Sequence, residues 1–349
     1  MTSDHPYHNR PARSFWRSAI AETHFCDLQN LWQPLDLTPA HSVATAGSCF
    51  AQHIGNYLAA RGANYLDLEP APPLFETPSE ARRFGYGVFS CRYGNIYTAR
   101  QLLQLFDEAF GNRAPQNIVW ERGKRFYDAL RPGVDPVGHD RPDTMRLLRQ
   151  QHLAQVRRMF QELDVFVFTM GLTEAWQSTA DGTIYPSAPG TIAGQFDPTQ
   201  HVFVNFRHAQ VLEDMEMFWQ RLKAVNPSAR MLLTVSPVPL TATASDDHVL
   251  VATTYSKAVL RSVAGDMSES HDDIFYFPSY EIITSPSNKG FFFNPDQRTI
   301  NPAGVEYVMR HFFSGIIEKN FSRSDNLDRE NIEIMCEEER IDSAHSTSG

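Results

Sequence analysis

Apolar residues along this chain fall into two alternating patterns. Three short runs are almost wholly apolar: Asp164-Val-Phe-Val-Phe-Thr-Met170, Met231-Leu-Leu-Thr-Val235 and Ile274-Phe-Tyr-Phe277. Such runs suit strands buried on both faces of a parallel sheet. An earlier alternating run, His41-Ser-Val-Ala-Thr-Ala46, reads as the first strand. Between them, apolar positions recur at helical spacing. Ile54, Tyr57 and Leu58 mark a helix over 51–60, and a second covers 98–110. Met145, Leu148, Val156, Phe160 and Leu163 share a face of a long helix that Asp143 is placed to cap. Val211, Met215, Phe218, Leu222 and Val225 mark another, and further helices are expected over 248–263 and 302–317.

Strands alternating with helices predict an α/β fold, a three-layer α/β/α arrangement around a mostly parallel, doubly wound sheet of the flavodoxin-like kind. Residues 1–40, mixed and interrupted by proline, are expected to form an N-terminal arm, and 41–320 the α/β domain. Within it, about 111–142 is rich in Gly, Pro and Asp around Trp120, Phe126 and Tyr127, which reads as an inserted irregular segment. Residues 321–349 turn polar and are expected to be a disordered tail.

Composition narrows the partners. The apolar share of 42% is ample for a core, while the net charge of −10 and the lack of a dense Lys/Arg run argue against nucleic acid. No apolar run approaches the roughly 18 residues of a membrane helix, and the first residues lack a basic-then-apolar leader pattern. Cys26, Cys49, Cys91 and Cys336 are scattered without metal or disulfide spacing. The expectation is a cytoplasmic protein with reduced thiols, no metal and no resident cofactor. Its oligomeric state is not legible.

The stretch Gly47-Ser48-Cys49-Phe50 joins the first strand to its helix. A serine there faces unpaired backbone N–H groups and the positive end of a helix dipole, which favour an alkoxide and the oxyanion it creates. A plain N-cap serine suits the same place. Gly47-Ser48-Cys49-Phe50-Ala51 stands with Phe89-Ser-Cys-Arg-Tyr-Gly-Asn-Ile-Tyr-Thr98, Gly171-Leu-Thr-Glu-Ala-Trp176, Thr234-Val-Ser-Pro-Val-Pro239 and Tyr276-Phe-Pro-Ser-Tyr-Glu-Ile-Ile283. On these motifs the chain resembles the GSCFA-domain proteins over about 44–313. The resemblance implies a relation to the SGNH (GDSL-like) esterases and acyltransferases. Those enzymes place a serine after the first strand. Their oxyanion hole is built from the serine N–H, a glycine N–H and an asparagine amide, and an Asp-x-x-His pair precedes the last helix.

Carried over residue by residue, Ser48 is the nucleophile and Gly87 is placed to supply the glycine N–H, although a turn glycine reads equally well. Thr173 replaces the asparagine in Gly171-Leu-Thr-Glu174. Before the last helix, Asp296 is followed by Thr299 where the histidine belongs. The base must then come from elsewhere, because a serine hydroxyl alone is a weak nucleophile. His248, on a polar loop beside Asp246 and Asp247, is the first candidate, with His201 and His208 behind it. His41 lies at the wrong end of its strand, roughly 20 Å from Gly47 at about 3.3 Å per residue. His53 points away from Ser48 around the helix.

In open parallel sheets, ligands bind beyond the carboxyl ends of the strands. That rule makes Glu174 a candidate base or orienting carboxylate and Trp176 a candidate pocket wall; Arg92, between Phe89 and Gly94, is a further candidate pocket residue, and Asn95 reads either as a pocket residue or as part of a turn. Cys49 is the rival nucleophile, since a helix N-terminus favours a thiolate. Lys257 and Arg261 form either an anion clamp or a solvated helix face.

Three readings follow. The first is a serine esterase acting on a small-molecule or carbohydrate O-acyl ester, an O-acetyl sugar among them. The second is a CoA-dependent O-acyltransferase of polysaccharide biosynthesis. The third is a carbohydrate-binding or scaffold protein without catalysis, in which Trp120, Trp176 and Trp219 stack on sugars.

Overall fold

The structure is a computed structural model that describes residues 5–33, 35–314 and 316. The polar tail expected over 321–349 lies outside the described residues. The first half of the domain runs β1 (Ser42–Gly47), α1 (Ala51–Ala60), β2 (Asn64–Tyr65), α2 (Pro78–Arg83), α3 (Ala99–Ala109), β3 (Val119–Arg122), β4 (Arg125–Asp128) and α4 (Pro142–Glu162). The second half runs β5 (Val165–Met170), β6 (Glu174–Ser178), β7 (Ile184–Tyr185), β8 (His201–Asn205), α5 (His208–Val225), β9 (Arg230–Val235), α6 (Val249–Ser270), β10 (Ile274–Phe277), α7 (Ser279–Thr284) and α8 (Pro302–Ser314).

Five strands form one parallel sheet in the order β2-β1-β5-β9-β10. Counted along the chain this is 2-1-3-4-5, the flavodoxin-like order, and the order reverses between β1 and β5. The apolar runs explain it. Alternate residues of each strand point to opposite faces, and both faces are covered. Ala44, Ala46, Phe166, Phe168, Met231 and Leu233 pack with α3, α4, α5 and α6. Val43, Val165, Val167 and Leu232 pack with α1, α7 and α8, together with Leu35 and Leu37 of the arm. The arm is held by hydrogen bonds as well: Trp32 Nε1 donates to the His311 carbonyl at 3.0 Å and Arg310 to the Cys26 carbonyl at 2.8 Å.

Two features depart from the expected pattern. Asp143 does not cap α4. Arg141 holds that position, Pro142 starts the helix, and Asp143 sits in the first turn, where its charge meets the dipole. Residues 174–205 fold into a second, antiparallel sheet of order β7-β6-β8, which the sequence pattern did not reveal. Within the expected insertion, β3 and β4 form a hairpin.

A buried ion network fastens that hairpin to the helices. Arg149 of α4 donates to both oxygens of Asp128 at 3.0 and 2.9 Å and pairs with Glu108 of α3. Arg131 also donates to Asp128, at 2.8 Å, and to the Arg92 carbonyl at 3.0 Å. Arg92 belongs to this network and not to a ligand pocket. Its guanidinium binds the Phe84 carbonyl and Asp135 and lies 3.9 Å over the Tyr86 ring. The expectation that Arg92 lines the substrate pocket is therefore corrected. Trp120 and Trp219, 6% and 4% exposed, are core residues and present no face to a sugar.

Candidate active site

Three turns meet at the carboxyl edge of the sheet, where β1 and β5 lie side by side. The first is Gly47-Ser48. Gly47 has φ +134°, and a Cβ there would lie 2.3 Å from the Thr169 carbonyl oxygen, so only glycine lets β1 run this close to β5. The second is the strap 94–97. The Ile96 N–H donates to the Gly47 carbonyl at 2.9 Å, and the Tyr97 carbonyl accepts from both Gly171 and Leu172 at 3.1 Å. The third is Gly171-Leu172-Thr173. A Cβ on Gly171 would lie 3.2 Å from that of Ser48 and 3.1 Å from the Tyr97 ring. Each turn thus touches the next.

Helix α6 clamps the third turn from the side. Ser256 Oγ accepts from the Thr173 N–H at 3.0 Å, and Lys257 Nζ donates to the Gly171 carbonyl at 2.6 Å. Both residues are buried. Lys257 is therefore not on a solvated helix face, and it forms no clamp with Arg261, which pairs with Glu281. A signal existed in the sequence: Lys257 stands three and seven positions before Leu260 and Ala264, on the stripe that α6 buries.

Ser48 occupies the expected turn and is 2% exposed. Its Oγ has no hydrogen-bond partner, and neither has the enclosed hydroxyl of Thr169 across the ladder. Helix α1 starts beside it, with the Ala51 N–H donating to the Ser48 carbonyl at 2.9 Å. The donors expected for an oxyanion are otherwise engaged. Ser48 N–H continues the sheet by donating to the Thr169 carbonyl at 3.0 Å. Thr173 donates its hydroxyl to Asn205 Oδ1 at 2.7 Å and its N–H to Ser256. Gly87 lies on an exposed turn at φ +62°, where an added Cβ would meet nothing within 4 Å, the plain turn-glycine role. The strap reaches the Ser48 turn through the Ile96 N–H on the Gly47 carbonyl, and the neighbouring Asn95 is 3% exposed. Cys49 follows Ser48 and is buried.

Among the described residues no histidine hydrogen-bonds Ser48. His248 is exposed, and its Nδ1 accepts from the Leu250 N–H at 3.2 Å, capping α6. His201 packs its ring against Tyr185 and Phe196, and His208 pairs with Asp266. His53 is half-buried on α1, and burial with Arg82 nearby lowers its pKa to about 4. Asp296 closes an exposed turn, accepting from the Thr299 hydroxyl at 2.6 Å and from the Arg298 and Thr299 N–H groups. Among the histidines outside the sequence candidates, His139, His152 and His271 carry carboxylate partners, and His152 is the most enclosed of the three. His152 of α4, 1% exposed, meets Glu69 at 2.7 Å through Nδ1, but it belongs to the ion network and not to the Ser48 turn. It stands on the apolar face of α4 between Arg149 and Val156, a pattern visible in the sequence.

Beside the Ser48 turn opens a cleft of about 240 Å³ whose lining includes Tyr97, Leu172, Glu174, Trp176, Phe203 and Leu240. Tyr97 and Leu172 are the residues that connect it to Gly171 and so to Ser48. The second sheet forms its far wall, with the Trp176 and Phe203 rings 5.8 Å apart. Glu174 accepts from Thr243 Oγ1 at 2.7 Å, and partial burial raises its carboxyl above the usual carboxylate range. Among the described residues no group of three His, Cys, Asp or Glu side chains is placed to hold a metal, and no helix is long and apolar enough to cross a membrane.

No curated protein matches the chain. The GSCFA family model matches residues 42–312, and the chain belongs to the GSCFA family.

Proposed function

We propose that this member of the GSCFA family cleaves or transfers acyl esters, with Ser48 as the nucleophile on an SGNH-like fold. One observation carries the reading. The Ser48 hydroxyl is enclosed without a partner at the strand-to-helix turn where the strand order reverses. Leaving a buried hydroxyl unsatisfied costs about 1–3 kcal/mol, and a catalytic role is one of the reasons such a group is kept. The cleft approaches Ser48 through Tyr97 and Leu172, which line it and adjoin Gly171.

In this reading Lys257 takes the role that a histidine plays in the related esterases. Held on the Gly171 carbonyl next to the Ser48 turn, its amine, once deprotonated, would accept the Ser48 proton as Oγ attacks the ester carbonyl. The resulting oxyanion forms beside the positive end of the α1 dipole and the strap that carries Asn95, since Ser48 N–H, both Thr173 donors and Gly87 are not available to it. The alcohol leaves with the proton from Lys257, and water or an acceptor hydroxyl then takes the acyl group. Hydrolysis or transfer from a neutral ester is favoured over a CoA donor. No Lys or Arg among the described residues lines the cleft, so the phosphates of CoA find no cation there. A binding role without catalysis is favoured by one fact, the engagement of Ser48 N–H and both Thr173 donors in the fold.

A fluorophosphonate probe tests these assignments on the wild type and on Ser48→Ala, Cys49→Ala, Lys257→Met and His248→Ala. The proposal expects labelling that is lost in Ser48→Ala and Lys257→Met and retained in Cys49→Ala and His248→Ala. Loss only in Ser48→Ala and His248→Ala would return the base to His248. Labelling that survives Ser48→Ala would remove the serine mechanism.

A further inference from the structure

We propose that the cleft beside Ser48 is an acyl-chain pocket for a neutral, unbranched acyl group of medium length, and that it does not hold the sugar of a carbohydrate ester. The inference rests on the assignment of Ser48 as nucleophile for its catalytic meaning, but the pocket itself is argued from the lining.

The polar groups of the cleft are mostly paired with one another. Thr191 Oγ1 donates to the Ala188 carbonyl at 2.7 Å. Thr243 Oγ1 donates to Glu174 Oε1, and the Ala244 N–H donates to Glu174 Oε2. The lining hydroxyl of Ser187 is enclosed without a partner. A sugar entering here would strip water from several hydroxyls and recover few hydrogen bonds, and each one left unmade lowers its affinity. An alkyl chain strips no such groups and gains from every methylene it buries.

Size and charge point the same way. The volume of about 240 Å³ exceeds what an acetyl group fills and lies below the roughly 300–1,000 Å³ of sites for drug-sized ligands. The lining combines the small side chains of Ala175, Ala188 and Ala242 with the Trp176 and Phe203 rings and Leu240. Among the described residues, Glu174 is the sole charged side chain of the lining. It repels free carboxylates and phosphates and leaves a neutral ester chain as the fitting occupant.

Direct binding tests this without relying on turnover. Tryptophan fluorescence of the Ser48→Ala protein is followed during titration with acetamide, butyramide, hexanamide and octanamide, and separately with N-acetylglucosamine. Trp176→Phe identifies the reporting ring. Affinity is expected to rise roughly four-fold for each added methylene, with N-acetylglucosamine silent. Ala188→Leu, which fills the cleft, should abolish octanamide binding, and Ala242→Leu, at an exposed lining position, repeats the test if the first variant melts early. Equal affinity for acetamide and octanamide, or saturation by N-acetylglucosamine alone, would overturn the pocket, as would no saturation by any amide. Octanamide binding by a protein that no fluorophosphonate labels would support the pocket and overturn the nucleophile assignment instead.

Discussion

Replacing Ser48 with alanine separates two roles for that residue by the sign of a stability change. If the serine capped helix α1, its loss would cost about 0.5–2 kcal/mol. The structure shows no such cap: Oγ has no hydrogen-bond partner, and backbone carbonyls serve the first turn, Ser48 to Ala51 at 2.9 Å and Cys49 to Gln52 at 3.2 Å. The hydroxyl is also almost completely buried, at 2% exposure. Its burial without a partner carries a penalty of about 1–3 kcal/mol, which alanine removes. Against this stands the small void left by one oxygen atom, worth a fraction of that. Ser48→Ala is therefore expected to stabilise the protein by about 1 kcal/mol. The melting temperature is a blunt probe here. An unfolding entropy of about 2.1 cal/mol/K per residue over a chain this long makes 1 kcal/mol only about 1.5 °C. Urea unfolding resolves it better: with a slope near 3 kcal/mol/M the midpoint moves up by about 0.3 M. A midpoint shifted down by that amount or more would show that Ser48 supports the fold, and would refute the reasoning that sets it apart for chemistry.

Other positions give equally direct tests. Gly47→Ala sets a Cβ 2.3 Å from the Thr169 carbonyl oxygen at φ +134°, whereas Gly87→Ala meets nothing within 4 Å. Urea midpoints should show the first losing about 3–5 kcal/mol and the second about 1, and equal losses would refute the close approach of β1 to β5. Arg149→Met leaves Asp128 and Glu108 without their buried partner and should cost about 3–5 kcal/mol, while Arg149→Met with Asp128→Leu should recover part of it. Stability should also fall with acidification in two stages. Burial, with Arg131 nearby, lowers the pKa of His152 to about 4, so the unfolded chain takes up the proton first between pH 6.5 and 4 and about 3 kcal/mol is lost there. Burial opposes ionisation of Glu69 and Asp128, yet His152 and Arg131 for the first, and Arg149 and Arg131 for the second, hold both near 2. Their contribution therefore disappears as pH drops from about 4.5 to 2. A His152→Gln protein whose urea midpoint declines as steeply between pH 6.5 and 4 as the wild type would rule out His152 as the source.

The main sheet and its helices were legible in the chain because each is written in local spacing. Helix 51–60 and strand 274–277 occur at their expected bounds, and β5 and β9 differ by a residue at one end. The place of Ser48 was legible for the same reason, since a strand, a Gly-Ser turn and a helix follow one another without interruption. The antiparallel sheet of 174–205 was not, because its strands are short and β6 pairs with a strand more than twenty residues away. Tertiary structure alone decided which groups around Ser48 are committed to the fold. The Thr173 N–H is taken by Ser256, 83 residues away, and Gly171 is held by Lys257, 86 residues away. The strap 94–97 that joins the Ser48 and Gly171 turns lies between β1 and β5 in the chain. A hydrogen bond is a pairing, and a sequence pattern names the donor without naming which acceptor the folded chain brings within reach.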